Sequence, residues 1–493
     1  MYDIKKGIQY AKLCISKRDG KNILKEFRYL GRVLNKERGI YQSRERGVFT
    51  YDLATNSYGN PPVEFVPPER KRKEILILDF GDSFFLHHFT KAKGLSTAID
   101  AIRYGNPDTF YAMIFYYIVC SLANCHALSW WEGNYVRILY PKANLTSQRI
   151  SDFLARIGDE SLQREFFQEY FKLLDNTDVN MDHVLIDSTG LPNSIHFPLT
   201  AINNHNGMIS NEVRLIYVVH QKTGMPIYFR YCAGNIIDAS TLIRCLEELE
   251  AQGVNVQFAI LDAGYYTGSN IHELFEKKIA FITRLKQNLV IYKQIVENHL
   301  DTLEEKENLV EYNGRYIFLK CVPCELEGHQ AYAYIGLDIE RKFSESNKTF
   351  QRAILKKMNT EQVYDTMQKQ GIFILVASNQ MKTTEVLPLY YTRQQIEQVF
   401  DIGKNYAGML PVRVHCEDTF RGHLLLTFIA TAIIKQIQTD LEKSSITPAS
   451  VFLDLRNHKC KVYDDKIITH ETFKKANDIY KKFKIECPVA IPR

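Results

Sequence analysis

Apolar and polar positions change period several times along the chain. Residues 1–60 mix short strand-like runs with basic turns, such as Lys17-Arg18-Asp19-Gly20 and Glu37-Arg38-Gly39. Prolines at 61–62 and 67–68, followed by Arg70-Lys71-Arg72-Lys73, predict a linker. From about 94 to 175 the pattern turns helical, with a strongly apolar and aromatic stretch at 108–125. Thr146 is placed to cap a helix carrying Ile150, Phe153, Leu154 and Ile157 and ended by Gly158. Short helices around a turn suit a helix-turn-helix and a plain bundle equally.

Beyond residue 180 the period shortens. Residues 183–187 read as a buried strand, and 213–220 and 225–232 as strands joined by a Lys-Thr-Gly turn. A helix at 239–251, a strand at 256–262, a helix at 270–278 and a strand at 280–285 follow. A meander succeeded by alternating helix and strand predicts a mixed α/β sheet of the ribonuclease-H kind. Residues 290–370 interrupt it: strands at 309–312 and 315–322 flank an Asn-Gly turn, a third covers 331–337, and a helix covers 349–369. The strand 372–377 then leads into a long helix holding Glu397.

Composition narrows the class without fixing it. With 493 residues, 45% apolar and 24% charged, the chain has material for several folded units and is not disordered. The N-terminus lacks the apolar core of a signal peptide, and the longest apolar run, 424–434, is about half of a bilayer span. A buried helix is expected there, with no membrane partner and a cytoplasmic location. The ten cysteines are scattered, and only Cys321 and Cys324 form a C-x-x-C. Without a second pair, reduced strand cysteines are favoured over zinc ligands. Net charge is +5, but residues 1–74 hold 17 Lys/Arg against 9 Asp/Glu. That arm fits a polyanion or a solvated basic surface equally well.

The chemistry lies in three acids. Asp187 in Val-Leu-Ile-Asp-Ser-Thr-Gly and Asp262 in Ala-Ile-Leu-Asp-Ala-Gly-Tyr each follow an apolar strand, where ligands of α/β sheets bind. Glycines after each are expected to let metal and phosphate approach. The third segment reads Y-x2-R-x3-E-x6-K through Tyr390, Arg393, Glu397 and Lys404. On a helix turning about 100° per residue these four share a stripe about 60° wide, while Ile396, Val399, Ile402 and Tyr406 lie opposite. One face is predicted to pack. The other offers an acid for metal and Tyr390, Arg393 and Lys404 for DNA phosphates.

The order and blocks resemble the transposases of bacterial insertion sequences that carry the Y-R-E-K signature, the insertion-sequence-four-like group. Asp187-Ser188-Thr189-Gly190, Asp262-Ala263-Gly264-Tyr265 and the Tyr390-to-Lys404 spacing are similar to its three blocks. Gly234-Asn235-Ile236-Ile237-Asp238 and Arg421-Gly422-His423 add support, and the likeness covers about 180–435. It implies Asp187, Asp262 and Glu397 as catalytic metal ligands, two Mg²⁺ ions with Mn²⁺ able to substitute, and cut-and-paste transposition. It also implies double-stranded DNA partners (inverted-repeat ends and target), a synaptic homodimer, and a nucleoid-associated protein.

The division expected is a basic arm and linker over 1–73 and a helical DNA-binding domain over 74–178. Two parts of a ribonuclease-H-like core, 179–289 and 371–440, then flank a β-rich insertion at 290–370, with a tail or oligomerisation region at 441–493. The N-terminal region as a whole is expected to be mixed or helical. Relatives that flip a base stack it on a tryptophan of the insertion, whereas the two here are Trp130 and Trp131. Tyr312, Tyr316 or Phe318 would have to serve. Rival readings are a nuclease that cuts without joining, a DNA-binding protein derived from a transposase, and a glycosidase using Asp187 and Asp262.

Overall fold

The computed structural model describes the chain except residues 6, 20–21, 66–75, 121, 177–180, 194–198, 206–207, 357–358 and 443. Most of the expected linker therefore lies outside the described residues. Two compact units are present, residues 1–75 and 76–493.

The first unit is a meander of six antiparallel strands running from Tyr2–Lys5 to Ser57–Gly59 in chain order. Its apolar side gathers Ala11, Leu30, Tyr41, Phe49 and Tyr51. Gly31 stands at a bulge with φ +97, where a Cβ would meet the Gln42 carbonyl at 2.2 Å. Among the described residues the one helical segment here is a 3-10 turn at Val63–Phe65. The strand-like runs expected over 1–60 pair with one another, and α-helices begin at Gly81 in the second unit, so strands and helices both occur in the N-terminal third.

The second unit is built on a mixed ten-stranded sheet. Its strands are β1 (His183–Pro192), β2 (Ala201–His205), β3 (Met208–His220), β4 (Pro226–Ala233), β5 (Phe258–Leu261) and β6 (Ala280–Arg284), then β7 (Leu309–Tyr312), β8 (Arg315–Leu326), β9 (His329–Asp338) and β10 (Ile372–Ala377). The order is β4-β3-β1-β5-β6-β10-β9-β8-β7, with β2 on β3. β1, β5 and β6 are parallel; the remaining pairs are antiparallel. The strands expected as an inserted subdomain thus extend the main sheet. The reason is β10: all six of its residues are buried, and it offers one edge to β6 and the other to β9.

Helices cover the sheet. Those used below are α1 (Ser147–Ile157), α2 (Glu160–Asp175), α3 (Leu242–Ala251), α4 (Gly268–Glu276), α5 (Ile339–Lys356), α6 (Thr360–Gln368), α7 (Thr383–Tyr391), α8 (Gln394–Tyr406) and α9 (Glu417–Asp440). α1 buries the predicted Ile150, Phe153, Leu154 and Ile157. It meets α9 at two glycines: a Cβ on Gly158 would lie 2.0 Å from the Asp418 carbonyl, and one on Gly422 would lie 1.9 Å from that of Leu154. The helices of 81–175 therefore belong to the same unit as the sheet rather than to a separate domain.

α9 is long and apolar enough to cross a bilayer, yet 89% of its most apolar window is buried inside the protein, as the reading of a core helix required. The region expected as a C-terminal tail is folded. Lys459–Val462 pairs with Leu76–Asp79, and Lys466–Thr469 and Ala490–Pro492 complete a four-stranded sheet. Buried Leu78, Cys460, Val462 and Ile467 hold it to the core.

Candidate active site

Register brings the two aspartates together. Leu261 of β5 stands beside Ile186 of β1, so the next residues, Asp262 and Asp187, continue side by side on parallel strands. Asp187 was expected at a strand end. It lies inside β1 instead, because β3 keeps pairing with β1 as far as Pro192. β5 ends at Leu261, and that shorter neighbour leaves Asp187 an open side. The Asp262 carbonyl accepts from the Thr283 hydroxyl at 3.2 Å, which ties this loop to β6.

The predicted long helix is two. Between Leu389 and Ile396 the backbone makes i→i−3 bonds (Thr392 to Leu389, Arg393 to Tyr390, Gln395 to Thr392, Ile396 to Arg393). The tightened turn separates α7 from α8 and breaks the 100° periodicity used for the stripe. Tyr390, expected on the open face toward DNA, is only 4% exposed. Burial pushes its phenol pKa up, and the adjacent Arg393 pulls it back. On α8, Ile396, Val399 and Ile402 pack inward as predicted. Tyr406 does not: it sits at the last residue of the helix and is 47% exposed. Phe400 stacks on Tyr217 of β3 at 5.5 Å and 18°, and Tyr217 is the cross-strand partner of Asp187. That contact sets α8 over the two aspartates.

Arg393 joins the three acids. Its Nη1 donates to Asp262 Oδ1 at 2.5 Å, and its Nη2 to Asp187 Oδ2 at 3.2 Å and to Glu397 Oε1 at 3.4 Å. A DNA phosphate contact was expected of this residue. Its guanidinium is committed to the carboxylates here, because their negative charge is the nearest available. Asp187 is the most desolvated of the three acids, and burial, with Asp262 adding to it, pushes its pKa to about 6 against the pull of Arg393. Arg393 itself is held above its ordinary range by Asp262 and Asp187, against the opposing effect of burial. Lys404, in the last turn of α8, donates to the Thr189 hydroxyl at 2.6 Å, and burial lowers its pKa.

A charged layer beneath the acids was missed from sequence. The Ser188 hydroxyl donates to Asp238 Oδ1 at 2.5 Å, and buried Arg214 donates to both, at 3.0 and 2.6 Å. Arg214 also pairs with Glu212 at 3.5 Å. The glycines after each aspartate make room for these groups. A Cβ on Gly190 would lie 2.1 Å from a Glu212 carboxylate oxygen, and one on Gly264 would lie 3.1 Å from Asp238 Oδ2. Glu212 and Arg214 at the start of the buried apolar run 213–219 were the available signal.

The aromatic candidates divide. Tyr312, at the β7–β8 turn, stacks on Tyr391 at 5.2 Å and 15°; Tyr316 is 63% exposed and Phe318 half-buried. Cys321 and Cys324 are free and point to opposite faces of β8, as a three-residue offset in a strand requires.

No curated protein matches the chain. Among solved structures, the cryo-EM structure of a piggyBac transposase synaptic complex with hairpin DNA is similar at 10% identity and a TM-score of 0.38, covering 71% of this chain and 70% of that one. The transposase DDE domain family matches residues 180–433, just over half of the sequence and the whole span from β1 into α9. The chain belongs to the transposase DDE domain family, and its activity is that of a DNA transposase.

Proposed function

We propose that Asp187, Asp262 and Glu397 are the catalytic carboxylates and hold two Mg²⁺ ions, for which Mn²⁺ can substitute. The core is read as ribonuclease-H-like and the chain as one of the Y-R-E-K, insertion-sequence-four-like group. The observation that carries this is the convergence of all three acids on one guanidinium. DDE transposases depend on divalent metal, and this donor set fits one: hard oxygen ligands suit Mg²⁺ and Mn²⁺. Three carboxylates against one arginine leave two negative charges uncompensated; the pKa of Asp187 is raised mainly by burial, with the Asp262 charge adding to it.

Bound cations would activate an attacking water or 3′-hydroxyl and stabilise the departing oxygen. The chain's own groups prepare that step. β1 and β5 fix the aspartates, and the Phe400–Tyr217 stack holds Glu397 above them. Arg393 keeps the acids gathered in the free protein and is positioned to turn to the scissile phosphate. Lys404, anchored on Thr189, neutralises a neighbouring phosphate. Tyr390 braces Arg393 from the buried side. The substrate is double-stranded DNA, the ends of the element and then the target, cut and rejoined within a homodimer.

The test is strand cleavage and strand transfer on a duplex carrying the DNA that borders the gene, where the reading places the element's inverted repeats. With Mg²⁺ the native protein should cut the end and join the 3′ strand to a plasmid. Asp187→Asn, Asp262→Asn and Glu397→Gln should do neither while still binding the duplex. Cutting by any of the three removes that residue from the site, and cutting without joining favours a nuclease.

A further inference from the structure

A groove of about 1050 Å³ opens beside Asp262 and runs away from it between the β6-to-290 loop and helices α5 and α6. Six cations line it: Arg284, Lys286, Arg341, Lys348, Arg352 and Lys369. Away from Asp262, the acids lining it are Glu345 and Asp365. Glu345 is already used, accepting from Arg341 at 2.7 Å and from the Gly371 backbone at 2.9 Å. The other five cations make no ion pair among the described residues.

Their placement follows from the helix. Arg341, Lys348 and Arg352 fall within about 40° of one line on α5, and the eleven helical steps from first to last span about 16 Å. The floor is built: Ser346 donates to Gln370 Oε1 at 2.7 Å, and Gln370 Nε2 donates to Thr349 at 2.5 Å. That network fixes α5 against the segment leading into β10 while Lys348, Arg352 and Lys369 stay exposed. Unpaired cations on one fixed wall repel each other unless a polyanion lies between them.

We propose that this groove carries the sugar-phosphate backbone of the DNA strand that leaves the active site past Asp262. Arg284 and Lys286 take the phosphates nearest the acids, and Lys348, Arg352 and Lys369 those beyond. The assignment rests on the transposase reading above but concerns binding, so metal chemistry does not enter its test.

The test is fluorescence anisotropy in EDTA across a salt series, using a 40-bp duplex of the flanking inverted repeat and a 40-bp duplex of scrambled sequence. Lys348→Ala/Arg352→Ala/Lys369→Ala should weaken binding at least tenfold at 100 mM NaCl. It should also lower the slope of log affinity against log salt by about 2 to 3, since each phosphate contact contributes about 0.9. Loss on both duplexes places any DNA backbone in the groove, and loss on the repeat alone places the element end there. A triple alanine variant of Lys474, Lys481 and Lys482, on the surface helix Lys474–Lys482, removes the same charge elsewhere. Unchanged affinity and slope in the groove variant, or an equal loss in this control, overturns the proposal. Failure of the acid variants to abolish cleavage would leave these binding results standing.

Discussion

Arg393 Nη1 lies 2.5 Å from Asp262 Oδ1, the shortest of the three contacts through which one guanidinium holds the acids of this site together. The pair crosses from the N-cap of α8 to the residue after β5, 131 residues apart in sequence. An arginine standing among carboxylates offsets part of their repulsion without supplying the second charge that a divalent cation brings. Stability, acidity and metal response at this site are therefore linked.

The first consequence concerns Asp187. Its folded-state pKa of about 6 is above the ordinary 3.8, so the folded protein keeps this proton longer than the unfolded chain does. Stability then falls as pH rises from about 4 to about 6 and stays lower above that window. Asp187→Asn should raise the thermal midpoint at pH 7.5 in EDTA, corresponding to on the order of 3 kcal/mol of stability, and leave it nearly unchanged at pH 4. MgCl₂ should stabilise the native protein at pH 7.5 more than at pH 5, and the asparagine variant at neither. A variant less stable than the native protein at pH 7.5 would mean that Asp187 is not strained.

Arg393→Ala should act in the opposite direction. Removing one partner of a largely buried ion pair leaves unpaired charge, at a cost of about 3 kcal/mol. The loss of melting temperature in EDTA should be larger at pH 7.5 than at pH 5, where Asp187 is protonated. MgCl₂ should recover most of it, while strand cleavage stays impaired. Equal destabilisation at both pH values, untouched by MgCl₂, would make Arg393 a packing residue with no electrostatic part.

The helical layer has its own test. Gly422→Ala places a methyl 1.9 Å from the Leu154 carbonyl, and backbone on both sides leaves it nowhere to go. Separating α1 from α9 should cost about 3 kcal/mol, the upper end of ordinary overpacking. Urea unfolding should show a lower midpoint. Full native stability would mean that the two helices slide apart freely.

Much of this was legible from residue pattern. Strands such as Leu309–Tyr312 and the continuous apolar run Ile372–Ala377 were read at their observed bounds, because burial on both sides of the latter leaves no ambiguity of period, whereas those read at 183–187, 213–220 and 315–322 each run four or five residues further in the fold. The candidate acids Asp187 and Asp262 were identifiable because each follows an apolar run, and Glu397 because of its Y-x2-R-x3-E-x6-K spacing. What failed were questions that depend on pairing across the fold. Nothing local says that β9 will find β10, so the sheet extension looked like an insertion. A turn of i→i−3 bonds at 389–396 does not alter composition, so Tyr390 was turned to the wrong side. The Asp238–Arg214–Glu212 layer is assembled from two segments, and only charged residues in a buried strand hinted at it.

The most direct test is the position of Mn²⁺ in a crystal of the native protein, read from anomalous scattering. Density is expected bound by carboxylate oxygens of Asp187, Asp262 and Glu397, at roughly 2.0–2.3 Å, with the Arg393 guanidinium turned away from them. Manganese bound elsewhere, with Arg393 still holding all three acids at catalytic metal concentration, would contradict the account.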